Sequence, residues 1–248
     1  MAGIHLRSFT LIWLGLGYLY VGSLKRAAET ISAAVKDARS RSHPFTLVSA
    51  LLALARFLNH THELKGAIEA TEEGLAIATE QRSPYHLSRA NVLRAVNLVD
   101  SGRVEEGITL MEHALIAHRK TGANFQSSYN LSRLAEAHAR AGRIERALEL
   151  ADQAVAEVSR TRERWWEAEA QRSRGEILLL AGPQNRDEAE RCFKKALACA
   201  RRQEAMFWEL HAAQSLASLW QAQGREDQAC ELLMSVHGQI AMASASRI

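Results

Sequence analysis

The chain has 248 residues, of which 47% are hydrophobic and 24% charged, the composition of a folded globular protein and not of a disordered one. Its 14 glycines and 3 prolines exclude collagen-like and linker-like chains, and they leave few turns for a many-stranded protein. The 31 basic and 28 acidic residues give a formal net charge of +3, too near neutral to indicate a nucleic acid or an anionic membrane as partner. The 3 cysteines have no paired spacing, which favours a reducing, cytoplasmic compartment over a disulfide scaffold.

Small residues recur with a period of about 40 along the chain. The series that follows each predicted turn is Ala27, Ala67, Gly107, Ala147, Ala189 and Ala229. An earlier series is Gly15, Ala55, Ala95, Ala135, Gly175 and Ala217, and a later one is Ala34, Gly74, Ala114, Ala154 and Ala196. An aromatic series has the same period: Phe45, Tyr85, Phe125, Trp165 and Phe207. Because helices approach closely only where the side chains at their crossing are small, we expect the three small-residue series to be buried between paired helices.

Each period contains two predicted helices. In the fourth, for example, Leu131, Leu134, Ala135 and His138 follow the i, i+3, i+4, i+7 pattern of one helix face. The six repeats lie at about 9–44, 45–84, 85–124, 125–164, 165–206 and 207–238. We therefore expect an all-α stack of about six helix hairpins in one domain, 1–238, followed by a disordered tail at 239–248.

Glycines mark the turn inside most hairpins, because a left-handed residue ends a helix most easily when it has no side chain. They are Gly22, Gly102, Gly142, Gly182 and Gly224, with His62 at the same place in the second repeat. Pro44 and Pro84 lie where one hairpin passes to the next. An additional Pro183-Gln184 in the fifth turn accounts for the longer spacing there.

The first predicted helix lies in an apolar segment, 9–21, that also resembles a secretory signal or membrane anchor. The segment is shorter than the roughly 20 residues that span a bilayer, and no Ala-x-Ala-like cleavage site follows immediately. Since the segment fits the register of the first repeat, we favour a packed helix and keep targeting as the alternative. Its extra apolar residues, Ile12, Leu16, Leu19 and Tyr20, alternatively mark a face that another module covers.

The first repeat contains Leu11-x-x-Leu14-Gly15-x-x-Tyr18-x-x-x-Gly22-x-Leu24-x-x-Ala27, which resembles the tetratricopeptide consensus. This resemblance implies a right-handed α-solenoid. The tetratricopeptide unit usually has 34 residues, so a 40-residue unit implies about one extra turn in each helix.

A narrower resemblance covers roughly 9–238 and is most specific in the last two repeats. It is to the C-terminal repeat region of large bacterial regulators, in which a class III adenylate/guanylate cyclase domain or a winged-helix domain precedes an ATPase module. The segments that carry it are ERWWEAE (163–169), RGEILL (174–179), AERCFKKAL (189–197), Trp208-Glu209-Leu210, His43-Pro44-Phe45 and Ala78-Thr79-Glu80-Gln81. The chain contains no Gly-x-x-x-x-Gly-Lys-[Ser/Thr] loop and no cyclase-like stretch, so the resemblance extends only to a non-catalytic region.

No pattern in the chain indicates catalysis or a cofactor. His60 and His62 lack a Cys or carboxylate at a supporting metal-ligand spacing, apart from the neighbouring Glu63, and a solvated turn explains them better. Cys192 and Cys199 share a helix face and fit a packing role. We expect no enzyme activity, no cofactor and no metal.

The tetratricopeptide resemblance implies that the first helix of each repeat lines a concave groove that binds a partner. Mapped onto this chain, the groove positions are Arg56, Asn59, His60, Arg89, Asp100, Tyr129, Ser132, Glu136, Arg140, Arg172, Glu176, Gln214 and Gln221. The alternative is that these are ordinary surface residues. Because a guanidinium offers a fixed bidentate fork for carboxylates, we expect Arg140 and Arg172 to contribute most.

These features favour a non-catalytic scaffold that binds a protein or peptide segment in bacterial signalling or transcriptional regulation. The alternatives are a ligand- or peptide-sensing subunit that regulates a cyclase or ATPase in trans, or a truncated remnant of such a protein. We expect no nucleic acid and no membrane as partner. Exposed ends of a solenoid also predict end-to-end self-association.

Overall fold

The structure, a computed structural model, describes residues 5–245. Within that range the chain forms twelve α-helices and two short 3₁₀ turns, with no strand. The helices are α1 Leu6–Tyr20, α2 Leu24–Ser40, α3 Pro44–His60, α4 Leu64–Glu80, α5 Pro84–Asp100, α6 Val104–Lys120, α7 Ser127–Arg140, α8 Ile144–Thr161, α9 Glu167–Leu180, α10 Arg186–Arg202, α11 Met206–Ala222 and α12 Glu226–Ala245. Successive helices pair as six hairpins.

The small residues lie where the two helices of a hairpin cross. Every member of the three small-residue series is buried, as the period predicts. Ala27, Ala67 and Ala147, for example, have no exposed surface. A β-carbon added at Gly175 would lie 2.5 Å from Cε1 of Phe193, because α10 packs directly against the backbone of α9 there. The chain is therefore held together by close helix contacts at these positions.

The turns inside the hairpins have the expected left-handed backbone. Gly102 and Gly142 have φ angles of +84° and +75°, and His62 adopts +61° at the corresponding place in the second hairpin. Pro44 and Pro84 occupy the first positions of α3 and α5, where a missing N–H leaves no bond unmade. The additional Pro183 begins a 3₁₀ turn, which takes up the longer spacing of the fifth hairpin.

The helices group into two compact units. One contains α1 as far as Leu19 together with residues 23–124, and we call it unit 1. The other contains Tyr20–Gly22 and the chain from Phe125 onward, and we call it unit 2. The main division, between Asn124 and Phe125, coincides with the predicted boundary between the third and fourth repeats.

At the start of the described chain the favoured prediction of a packed first helix holds, whereas the end of the chain differs from expectation. Ile12, Leu16 and Leu19 of α1 are buried within the chain, so the alternative that they form a face for another module is wrong for these three. At the other end, α12 is helical as far as Ala245, although composition suggested a disordered tail from residue 239. Residues 246–248 of that tail lie outside the described residues. No helix in the described range is long and apolar enough to cross a membrane.

Candidate functional site

The predicted groove residues all lie on the first helices of hairpins, and the two units divide them. In unit 1, α3 and α5 carry Arg56, Asn59, His60, Arg89 and Asp100. In unit 2, α7, α9 and α11 carry Tyr129, Ser132, Glu136, Arg140, Arg172, Glu176, Gln214 and Gln221.

In unit 2 the centre of the set is the guanidinium of Arg172 on α9. Its Nε and Nη2 donate to the two carboxylate oxygens of Glu169, at 2.8 and 2.6 Å. Its Nη1 donates to Oε1 of Glu176 at 3.3 Å, and Ser215 on α11 donates to the same oxygen at 2.5 Å. The bidentate fork that we expected to hold a partner's carboxylate is thus already filled by Glu169.

The charges of this network stabilise one another. Burial opposes ionisation of Glu169, but the charge of Arg172 and its hydrogen bonds hold the pKa of that carboxyl below its usual value. Burial likewise opposes the charged form of Arg172, but Glu169 and then Glu136 and Glu176 raise the pKa of the guanidinium above its usual value. Both groups therefore remain charged at neutral pH.

Glu136 on α7 is a second carboxylate in unit 2. Its Oε2 accepts a 2.6 Å bond from Nη1 of Arg133, one turn earlier on the same helix. Its Oε1 is buried and accepts no hydrogen bond from the part of the chain that the structure describes. This oxygen is an acceptor that a bound N–H group would satisfy.

The remaining groove residues of unit 2 differ in how far their side chains are exposed to solvent. Arg140, Gln214 and Gln221 are exposed, as a binding surface requires. Tyr129 is only 2% exposed and packs edge-on against Trp166, with ring centroids 4.8 Å apart. Tyr129 therefore lies in the core, where the 3₁₀ turn before α9 packs against its ring.

Unit 2 contains a cluster of aromatic side chains that was not predicted from the sequence. Trp166 packs against Trp208 at 5.0 Å, and its indole N–H donates to the Ser132 hydroxyl at 3.0 Å. Tyr20, which belongs to this unit, stacks on Trp165 and Trp208 at 5.8 and 5.6 Å. The adjacent tryptophans of the ERWWEAE segment were the available signal for this cluster, but from the sequence Trp165 was recognised only in the periodic aromatic series and both tryptophans only in the family resemblance.

In unit 1 the groove residues include two arginines, Arg56 and Arg89, which we call the basic set. Arg56 on α3 is 5% exposed, which is unusual for a charged side chain. Arg89 on α5 lies over the ring of Tyr85, with its guanidinium carbon 5.3 Å from the ring centroid. Burial lowers the pKa of the Arg89 guanidinium below its usual value, and the positive charge of Arg56 lowers it further, while Tyr85 acts in the opposite direction. Asp100, at the far end of α5, is half-buried.

His86 lies beside this set and had not been singled out from sequence. Its ring stacks on Phe45 at 5.5 Å, and its Nδ1 lies 2.9 Å from the hydroxyl oxygen of Ser83. Burial, together with the charge of Arg89, lowers the pKa of His86 to about 4. His86 is therefore neutral at neutral pH and adds no charge to the basic set.

The described residues form no metal centre from His, Cys, Asp and Glu ligands, and the thiol of Cys199 is unreactive. They contain no group of three or more His, Cys, Asp or Glu side chains that could hold a metal ion. Cys192 and Cys199 are buried, and burial raises the pKa of the Cys199 thiol to about 11, which suppresses its nucleophilic form.

No family model matches the chain, and no curated protein matches it. Solved structures are similar to it. The Rap conjugation gene regulator of the plasmid pLS20, in complex with the Phr* peptide, is 12% identical, with a TM-score of 0.73 over 98% of this chain and 66% of that chain. A putative kinesin light chain with TPR-like repeats from Podosopora anserina is 24% identical, with a TM-score of 0.56 over 83% of this chain and 99% of that chain.

A further similar structure is a signal transduction ATPase with a tetratricopeptide repeat sensor, from Pyrococcus horikoshii. It is 15% identical, with a TM-score of 0.55 over 94% of this chain and 36% of that chain. Because all three identities are below 25%, the similarity concerns the fold alone. It confirms the fold prediction of an all-α solenoid of tetratricopeptide-like hairpins.

Proposed function

We propose that the chain is a non-catalytic scaffold that binds a peptide segment of a protein, in cytoplasmic bacterial signalling or transcriptional regulation. The segment lies along the first helices of the hairpins in unit 2. Arg140, Gln214 and Gln221 contact it, and the network around Arg172 holds the helices that present these side chains.

The observation that carries this proposal is the polar network that joins α9 to α11 through Arg172, Glu176 and Ser215. Glu176 keeps 43% of its side chain exposed while its oxygen accepts bonds from both helices. Together with the unsatisfied Oε1 of Glu136, it supplies acceptors for the backbone N–H groups of an extended segment. Polar side chains that are held in place but still have unused hydrogen-bond acceptors are better suited to binding a peptide than to an ordinary solvated surface.

The similar structures support the same proposal. The pLS20 regulator was solved with the Phr* peptide, and another Rap protein was solved with the competence and sporulation factor. A fold similar to that of this chain therefore binds a peptide in the pLS20 regulator.

A second candidate is a sensing subunit that regulates a cyclase or ATPase in trans, or a remnant of such a protein. It is supported by the similarity to the repeat sensor of the Pyrococcus horikoshii ATPase and by the sequence resemblance to bacterial cyclase–ATPase regulators. In this alternative the peptide or a small ligand changes the chain's contact with a separate catalytic protein.

We also propose that neither a nucleic acid nor a membrane is a partner of the chain. The near-neutral net charge favours neither nucleic acid nor a membrane surface. End-to-end self-association through terminal hairpins stays a prediction, and light scattering that finds a monomer at high concentration contradicts it.

Peptide selection tests the main proposal. The purified chain is used to select from a displayed library of random peptides, and the affinity of each recovered peptide is measured by fluorescence anisotropy. The double variant Gln214→Arg/Gln221→Arg changes two exposed side chains of α11, so we expect it to weaken binding while the helix content stays unchanged. Gln228→Arg, at an exposed position of α12, is the matched control. Recovery of no peptide, or equal binding by the double variant and the parent, contradicts the proposal.

A further inference from the structure

Helix α12 of unit 2 carries two sulfur atoms on its exposed face. Cys230 and Met234 lie one turn apart on this helix, and both are exposed, the side chain of Met234 to 70%. Folded proteins usually bury cysteine and methionine. The thiol of Cys230 donates to the thioether of Met234, and the two sulfur atoms are 3.8 Å apart. Two soft, polarizable atoms therefore lie side by side at a surface that solvent reaches.

A third side chain with metal-binding chemistry, His237, lies on the same face of α12. Because an α-helix has 3.6 residues per turn, positions 230, 234 and 237 fall within about 60° around the helix axis. Long side chains of a helix lean toward its N-terminus, so those of Met234 and His237 lean toward Cys230. His237 is exposed, so its imidazole can rotate toward the two sulfur atoms. This face thus offers a thiol, a thioether and an imidazole.

The charges around these three side chains favour a cation. Glu226 and Asp227 lie one turn before Cys230, and Glu231 follows it directly. All three acidic residues are exposed, and the sequence of α12 contains no lysine or arginine. Negative side chains raise the local concentration of positive ions, so the field at this face attracts a metal ion.

We propose that Cys230, Met234 and His237 bind one monovalent copper ion, Cu(I). Soft thiolate and thioether ligands select Cu(I), and imidazole is also a good copper ligand, whereas Mg²⁺ and Ca²⁺ prefer oxygen ligands. An ion placed about 2.3 Å from each sulfur, as in metal–thiolate sites, makes an angle of about 110° with two sulfur atoms that are 3.8 Å apart. This angle is near the value of about 120° for trigonal coordination, in which His237 is the third ligand.

Copper binding in this site is an exchange of a proton for a metal ion. The Cys230 thiol loses its proton to solvent as the sulfur–copper bond forms, while Met234 and His237 bind in their neutral forms. Copper keeps its oxidation state, so no oxidant or reductant takes part. Affinity should therefore increase with pH as long as the free thiol is protonated. This inference is independent of the proposed peptide binding, and it departs from the expectation of no metal, which did not consider methionine as a ligand.

Competition with a coloured chelator tests the site. The full chain, freshly reduced and kept free of oxygen, is titrated with Cu(I) held by bicinchoninate in the presence of ascorbate. Loss of the coloured complex then measures the copper that the protein takes up. We expect one copper ion per chain, together with a thiolate-to-copper absorption band in the near ultraviolet. Uptake of one ion by two chains, with a dimer in size-exclusion chromatography, overturns a site within a single chain, and so does the absence of any uptake.

Substitutions distinguish a three-ligand site from a single reactive thiol. Met234→Leu and His237→Gln both keep Cys230, and we expect each to lower the affinity for Cu(I) by about tenfold or more, since even outer-shell partners of a metal site contribute about 10–100-fold. Cys230→Ser should abolish the near-ultraviolet band. His113→Gln, at an exposed histidine of α6, is the matched control and should bind copper as the parent does. If Met234→Leu or His237→Gln binds Cu(I) as tightly as the parent, that residue is not a ligand and the proposal is overturned.

A second metal and a measurement of helix content complete the test. Zn²⁺ is not a thioether-selecting ion, so we expect it to bind more weakly than Cu(I), and tighter binding of Zn²⁺ overturns the assignment to copper. The three side chains are exposed, so their variants should keep the helix content of the parent in circular dichroism. Loss of copper affinity with unchanged helix content supports the site. Because no peptide is used, failure of this test leaves the proposed function intact, and failure of the peptide selection leaves the copper site intact.

Discussion

Gly107 lies where α5 and α6 approach closely, and replacing it with alanine should destabilise the chain. A β-carbon at this position would lie 2.5 Å from Cγ2 of Val99, 2.9 Å from the carbonyl oxygen of Ala95 and 3.1 Å from the backbone nitrogen of Val99. Two of these three contacts are with backbone, so rotation of a side chain cannot relieve them. The two helices must separate instead.

The expected magnitude is the difference between two effects. Overpacking of a tight core usually costs about 1–3 kcal/mol, and contact with backbone places Gly107→Ala at the upper end of that range. Alanine is better than glycine in a helix by about 1 kcal/mol, which offsets part of that loss. We therefore expect a net loss of about 1–2 kcal/mol in the free energy of unfolding, measured by urea denaturation followed by circular dichroism.

Gly74 on α4 provides the matched control. Like Gly107 on α6, it is a buried glycine in the second helix of a hairpin in unit 1. A β-carbon there would lie 3.4 Å from Cδ2 of Leu52 and 3.6 Å from Cβ of Leu51, both ordinary van der Waals distances. Gly74→Ala should therefore gain most of the helix preference and stabilise the chain by about 0.5–1 kcal/mol. If Gly107→Ala is as stable as the parent while Gly74→Ala behaves as expected, the close contact of α5 and α6 does not limit packing, and the reasoning from the small residues is refuted.

Three further predictions concern single positions. His62→Gly should raise the free energy of unfolding by about 1 kcal/mol in a urea titration, since a left-handed residue with a β-carbon is strained and glycine is not; an unchanged midpoint contradicts this. Ala147→Phe should lower the same free energy by about 1–3 kcal/mol, because Ala147 has no exposed surface, and a circular-dichroism melt without loss would disprove it. His86 has a pKa near 4 in the folded chain and about 6.5 when unfolded, so the unfolded chain binds more protons between these values and stability should fall as the pH decreases from about 6.5 to about 4. That shift corresponds to at most about 3 kcal/mol, which partial exposure reduces to about 1–2 kcal/mol, and His86→Gln should remove this part of the pH dependence in urea titrations.

The helix pairing was predictable because it depends on residue size at a fixed period. Ala27, Ala147 and their counterparts are recognisable in any sequence, and burial follows from the need of paired helices for small residues. The glycine turns were predictable for a similar reason. The backbone at Gly142 requires a conformation that few other residues adopt, so the residue type and the structure correspond directly.

The site was predictable only in part, because pairing within the chain depends on neighbours in space. The resemblance placed Arg172 and Gln214 on first helices correctly. It gave no means of knowing that Glu169 occupies Arg172, although the spacing Glu-x-x-Arg on one helix was a usable signal. The amide of Asn59, whose atoms are buried without a hydrogen-bond partner among the described residues, had no such signal, since a polar residue in a helix is satisfied or unsatisfied according to its tertiary surroundings.

Besides the turns inside the hairpins, a second set of residues with a left-handed backbone lies between the hairpins. Between successive hairpins the backbone has positive φ at Ser42, Arg82, Gly122, Arg162 and Glu204, spaced by 40 or 42 residues. The same left-handed backbone conformation is thus adopted by a serine, two arginines, a glycine and a glutamate. Since these joints share a backbone conformation and not a side-chain chemistry, the residue type at each joint can vary while the left-handed backbone is kept.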